Sequence, residues 1–176
     1  FMYKRMDART FRYSITLDFI SKNAPKAKHV LDLGTPNAFS KIMQDNGYQV
    51  ENTKGEDLDF QYEELFNYKN IELVTALEIC EHLLNPLQVL KSLPADRLVA
   101  SVPMSLWFAK AYRSKTDMWD RHFHEFEDWQ FDWLLEKAGW KIKDSMKWKA
   151  VTKQIGIRPL LRRITPRYYM VYAERK

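Results

Sequence analysis

The segment Glu78-Ile79-Cys80-Glu81-His82 sets two carboxylates and an imidazole at spacings of three and four residues. Where a strand turns into a helix, that spacing brings the three side chains toward one point, and oxygen and nitrogen donors gathered there suit a divalent cation. Further along, His122-Phe123-His124-Glu125-Phe126 supplies two more imidazoles. Imidazole is the side chain whose charge changes nearest neutrality, which makes His82 and His122 candidate catalytic bases and His122 or His124 a candidate further ligand. A plainer reading stands beside this one. The Glu-His pair can cap and pack a helix, and His122 can fix its loop among Trp119, Phe123 and Phe126.

Strands and helices must carry these groups. Residues 71–77 form a continuous apolar run that ends at Glu78, as a parallel strand buried on both faces does. An earlier run, Val30-Leu31-Asp32-Leu33-Gly34, ends at an acid and a glycine that lets the backbone turn tightly before the next helix. Around these the pattern predicts a helix over 7–23, a strand over 29–34, a helix over 39–46 closed by Gly47, and a second strand about Tyr48 and Val50. Residues 55–60 read as a turn with a short strand or loop, and 62–66 as a short helix. A helix follows Asn85-Pro86, a strand over 97–102 stops at Pro103, and a helix over 129–138 ends at Gly139. The aromatic, charged stretch 104–126 is too long for an ordinary connection and predicts a substrate-facing insertion with a helix in it. Two closing strands, over 140–149 and 168–174, are joined by loops at 155–159 and 165–166 with no clear helix between them. The expectation is an α/β, Rossmann-like, mainly parallel sheet with a C-terminal antiparallel hairpin and helices on both faces.

At 176 residues and 45% hydrophobic, the chain is long and apolar enough for one domain over 1–176, with 1–27 as an N-terminal helical segment. No apolar run approaches the ~20 residues that cross a bilayer, and the opening residues lack the apolar core of a signal peptide, so a cytoplasmic location and no membrane partner are expected. The lone Cys80 excludes an internal disulfide framework and reads as a buried small hydrophobe beside Leu77 and Ile79. The net charge of +5 is concentrated late, with Lys141, Lys143, Lys147, Lys149, Lys153, Arg158, Arg162, Arg163 and Arg167 all beyond residue 140. Such an excess suits a phosphate-bearing partner or a solvated face.

Taken together, Val30 to Gly34, Gly55-Glu56-Asp57-Leu58, the run from Leu73 to Pro86, Leu98 to Pro103, His122 to Phe126 and Leu134 to Trp140 resemble a class I S-adenosylmethionine-dependent methyltransferase of the small seven-stranded kind. The resemblance implies a seven-stranded sheet and S-adenosylmethionine as cofactor. It places Asp32, Gly34 and Thr35 at the methionine end, Asp57 and Leu58 at the adenine, and Glu78 on the wall. Where such proteins carry glycines this chain has Pro36 and Ala38, and where an acid would grip the ribose it has Lys54, with Asn52 the nearest substitute. The Glu78-Glu81-His82 motif also resembles the divalent-ion site of small-RNA 2′-O-methyltransferases and of ubiquinone-pathway O-methyltransferases, although no metal ligand is assigned from it.

The implied activity is methyl transfer to a small-molecule acceptor, at oxygen, with His82 or His122 removing the proton. Trp107, Phe108, Tyr112, Trp119, Phe123 and Phe126 can line an acceptor pocket or pack the insertion onto the sheet. Two alternatives follow from the same residues. The basic C-terminal third and the Glu-Glu-His motif favour an RNA acceptor, and the altered glycine loop favours a non-catalytic binding protein.

Overall fold

A computed structural model describes residues 7–150 and 156–176; Lys153, residues 1–6 and the start of the expected 155–159 loop lie outside them. Strands β1 (His29–Asp32), β2 (Gln49–Asn52), β3 (Leu73–Leu77), β4 (Arg97–Pro103), β5 (Trp140–Lys149) and β6 (Pro166–Arg175) form one sheet in the order β2-β1-β3-β4-β6-β5. The first four run parallel, and β6 lies antiparallel between β4 and β5. Helices α1 (Ala8–Asn23), α2 (Ala38–Asp45), α3 (Pro86–Lys91), α4 (Asp128–Lys137) and α5 (Ile157–Ile164) complete the fold, with short 3₁₀ turns at Tyr62–Asn67 and Cys80–His82.

Successive strand residues point to opposite faces, and both faces are dry. Leu31, Val74, Leu98 and Val171 pack with Leu90 of α3 and Phe131 and Leu135 of α4. Val30, Leu73, Val99 and Met170 pack with Phe19 and Ile20 of α1 and Phe39 and Met43 of α2. Each such side chain contributes on the order of 1.5–3 kcal/mol by leaving water. This two-sided burial is why the strands read as continuous apolar runs, and it fixes which strand ends meet at the site.

Three expectations are corrected among the described residues. The sheet has six strands, not seven. Residues 55–60 take the turn-and-loop form of the two that were open: Gly55 has φ +93°, the Asp57 carbonyl accepts from the N–H of Phe60 and Gln61, and the Asp59 carboxylate accepts from Leu84 and Asn85 ahead of α3. A segment whose polar groups are spent on turns has none left for a ladder. The insertion over 104–126 contains no helix. There Ser114 and Asp117 capture nearby N–H groups at Thr116, Asp117 and Trp119, and turns result. Conversely, α5 occupies the connection between β5 and β6 that reads as loop, because Pro159 falls in its first turn, where no intrahelical N–H is required.

The carboxylate of Asp32, 2% exposed, ties the parallel strands together. It accepts from Thr75 Oγ1 on β3 at 2.6 Å, Ser40 Oγ on α2 at 2.8 Å, Asn37 Nδ2 at the α2 N-cap at 3.1 Å and Asn52 Nδ2 on β2 at 3.2 Å. Burial pushes its pKa up, and these four hydrogen bonds pull it back. Thr75→Val keeps the shape and deletes one charge-assisted bond, and should cost about 1.5–3 kcal/mol in denaturant unfolding. Asp32→Ala, which strands every donor, should cost more than that; an unchanged unfolding midpoint in both variants would contradict this role.

Candidate functional site

A cleft of about 370 Å³ opens where β1 and β3 end, bordered by Asp32, Gly34, Thr35, Glu78 and Ile79 and roofed by Arg12 and Tyr13 of α1. Carboxyl ends of parallel strands are where such folds bind ligands. Gly34 has φ +104°, and its N–H donates to Thr53 Oγ1 at 2.7 Å. A Cβ there would meet Ile79 Cδ1 at 3.8 Å, an ordinary contact, so the backbone angle rather than crowding favours glycine. Glu78 holds φ +56° without being glycine, a strained state of the kind found at sites. Its N–H donates to the Ser101 carbonyl of β4, and its carboxylate accepts from Arg12 Nη1 at 2.8 Å, which ties α1 across the cleft.

Asp32, Gly34, Thr35 and Glu78 therefore share one cleft, and Asn52, Asp57 and Leu58 do not line it. Asn52 lies in a neighbouring hollow with Pro36, Asn37 and Lys54. Its Nδ2 approaches the Asp32 carbonyl and carboxylate, the Gly34 carbonyl and Ser40 Oγ at 3.1–3.3 Å. A donor is needed there, so an acid could not replace it. Leu58 is 7% exposed and packs in the core, whereas Asp57 carries the turn that follows Gly55. The α2 N-terminus is capped by its own side chain, since Asn37 Oδ1 accepts from the N–H of Phe39 and Ser40.

Beyond Glu78 the chain makes the Cys80–His82 turn, and Cys80 is 1% exposed, with burial pushing its thiol well above the usual range. The Glu81 carbonyl accepts from the N–H of Phe123 and His124, and so docks the end of the insertion on this turn. That docking gathers Glu81, His82 and His122, each with one ligand-type atom within 4.8 Å of the others. His82 Nδ1 faces the Arg121 carbonyl at 3.0 Å and His122 Nδ1 faces the Glu125 carboxylate at 2.8 Å. A carbonyl and an ionised carboxylate accept, so each Nδ1 carries a proton, which leaves Nε2 as the nitrogen able to act as base or ligand when the ring is neutral. The His82 and His122 rings meet edge-on at 4.9 Å between centroids, and His82 Nε2 lies 3.8 Å from Glu81 Oε1.

Glu81 is 1% exposed and its Oε2 is buried with no hydrogen-bond partner. Burial pushes its carboxyl well above the ordinary range, and the nearby charges of Glu78 and Glu125 push the same way. His124 takes no part in the cluster: its ring stacks on Phe126. The expected aromatic group divides, with Phe126 buried at 7% and Trp107, Trp119 and Phe123 turned to solvent. Sequence reading missed Arg12 and Glu125. The His122-x-x-Glu125 spacing was visible, but nothing in the chain pairs Arg12 with a residue 66 positions on.

No protein-family model matches the chain, and no curated protein matches it. Solved structures do match in shape. The 1,6-didemethyltoxoflavin-N1-methyltransferase of Burkholderia thailandensis, solved with S-adenosylhomocysteine and 1,6-didemethyltoxoflavin, superposes with a TM-score of 0.64 at 14% identity, over 93% of this chain and 78% of that one. A SAM-dependent methyltransferase from Archaeoglobus fulgidus gives 0.61 at 15% identity, over 95% and 94%. The [4+2]-cyclase SpnF gives 0.59 at 12% identity, over 97% and 84%. A cyclase among them shows that this architecture does not by itself dictate the reaction. On this likeness in shape, the chain has the fold of class I S-adenosylmethionine-dependent methyltransferases.

Proposed function

We propose that this chain is an S-adenosylmethionine-dependent methyltransferase acting on a small-molecule acceptor, at oxygen. The observation that carries the reading is the juxtaposition, across Glu78, of a cleft at the ends of β1 and β3 and a paired-imidazole cluster. When bound, S-adenosylmethionine supplies a methyl group on a sulfonium for in-line displacement. Asp32 positions the Gly34-Thr35 turn against the methionine end, and Glu78 forms the wall with Arg12 behind it. Asp57, on the turn whose Gly55 abuts Thr35 at the rim of the cleft, takes the adenine amine, and Leu58 holds that turn from the core. Asn52, whose Oδ1 accepts no hydrogen bond among the described residues, takes a ribose hydroxyl.

On the acceptor side, His122 Nε2 removes the hydroxyl proton as the new C–O bond forms. Glu125, on Nδ1, fixes the tautomer and stabilises the imidazolium. His82 packs edge-on against that ring and keeps it aimed. A second reading is favoured by the partnerless Glu81 Oε2 and by the two engaged Nδ1 atoms. Oxygen and imidazole donors with outer partners of this kind suit a divalent cation, with Glu81, His82 and His122 as ligands. A bound Mg²⁺ or Mn²⁺ would supply a Lewis acid for the acceptor oxygen.

Gly34→Val should abolish the thermal stabilisation that S-adenosylhomocysteine gives the wild type, because a branched side chain is strained at positive φ and enters the cleft; undiminished stabilisation would remove the site from this place. His122→Ala should lower turnover by about 10²-fold or more and leave S-adenosylhomocysteine affinity within about twofold. Calorimetric titration with Mn²⁺ separates the two acceptor-side readings. Binding that is lost in Glu81→Gln supports the cation, and no heat above dilution leaves His122 as the base.

A further inference from the structure

Helix α5 is amphipathic in an inverted sense. Ile157, Leu160, Leu161 and Ile164 fall on one stripe at helical spacing. Ile157, Leu160 and Ile164 are 81%, 58% and 63% exposed, and no residue of the helix is buried. The apolar stripe faces out, while Arg162 on the other side is half-buried. Arg158 and Arg163 are exposed beside the stripe, and no acidic residue occurs from Gly156 to Ala173.

The fold puts this ridge at a particular edge. Pro103 at the end of β4 pairs with Tyr168, and the Met104 N–H donates to the Arg167 carbonyl at 2.8 Å, so α5 precedes the strand end that meets the carboxyl end of β4. β1, β3 and β4 are parallel, so the cleft opens at that same edge of the sheet. The insertion that leaves β4 there turns out Trp107, Met118 and Trp119, 81%, 74% and 74% exposed, together with the exposed cations Arg113 and Lys115. Two separate elements at one edge thus display large apolar groups, with arginines alone as the charged residues of α5 and with both Arg113 and Lys115 and the acids Asp117 and Asp120 beside Met118 and Trp119 in the insertion.

We propose that this edge docks on an anionic phospholipid bilayer, with α5 lying in the interface plane. Charge selects the occupant. An apolar ridge on a helix whose charged residues are all arginines complements a surface that is apolar below and anionic above, and indole rings settle at such interfaces. No helix among the described residues is long and apolar enough to cross a membrane. The proposal does not depend on the methyltransferase reading.

The test is vesicle co-sedimentation of the full chain, with phosphatidylcholine vesicles and with vesicles containing about 30 mol% phosphatidylserine, in low and raised salt. Wild type should pellet with the anionic vesicles and release as salt rises. The double variant Ile157→Ser/Leu160→Ser and the single variant Arg158→Glu should each bind at least about tenfold more weakly, with unaltered melting temperatures. Lys26→Glu, which makes the same charge change in the exposed turn before β1 at the opposite edge, should bind as wild type does. Failure to pellet with anionic vesicles would overturn the proposal, as would equal loss in Lys26→Glu. So would a solution dimer that the Ile157→Ser/Leu160→Ser variant dissolves, which would assign the ridge to a second copy of the chain.

Discussion

One buried carboxylate sets the geometry on which the rest depends. Asp32 reaches β3 through Thr75, α2 through Ser40 and Asn37, and β2 through Asn52, and it is nearly sealed from water. A charge in such a place is tolerated only with its hydrogen bonds made, so the four donors are held as firmly as the acid. Their positions dictate how β1 ends, where Gly34 turns and how α2 starts. The cleft is the space left over by that arrangement. This also explains why β2 ends on Asn52 rather than on an acid: its neighbours are all acceptors, and an amide nitrogen is what they require.

Glu78 divides the site into two halves of different character. On one side stand a tight glycine turn and the Arg12 pair, a region that binds and orients. On the other stand two imidazoles with fixed tautomers and a buried acid with an unfilled lone pair. The halves are joined by main chain rather than by side-chain chance. Glu81 contributes its carbonyl to two N–H groups of the insertion, which brings His122 back onto His82 across 40 residues of sequence. Preorganisation of this kind is what a transfer reaction needs, because alignment of donor and acceptor supplies much of the rate.

Much of this was legible in the chain. Apolar runs ending at Asp32-Leu33-Gly34 and Leu77-Glu78 announce parallel strands with a site at their ends, and Asn85-Pro86 announces a helix start that Asn85 indeed caps. What was not legible has physical causes. Residues 55–60 contain the composition of a short strand or a turn, and the choice is made by Asp59 bonding Leu84 and Asn85, 25 and 26 residues away. Helix α5 was hidden by Pro159, which breaks helices in their middles and is harmless in their first turns. The insertion has helix-forming residues enough, but Ser114 and Asp117 satisfy its N–H groups locally. The role of Asn52 could not be read at all, since it depends on four acceptor atoms of three residues at the end of β1 and in α2.

The central claim is that this cleft holds S-adenosylmethionine despite Pro36 and Ala38. Direct calorimetric titration of the purified chain with S-adenosylmethionine and S-adenosylhomocysteine tests it, with Mg²⁺ present and after EDTA. The account predicts one site per chain with micromolar affinity for each, about −8 kcal/mol. No binding of either compound under any of these conditions would contradict it and would leave the fold without its expected cofactor.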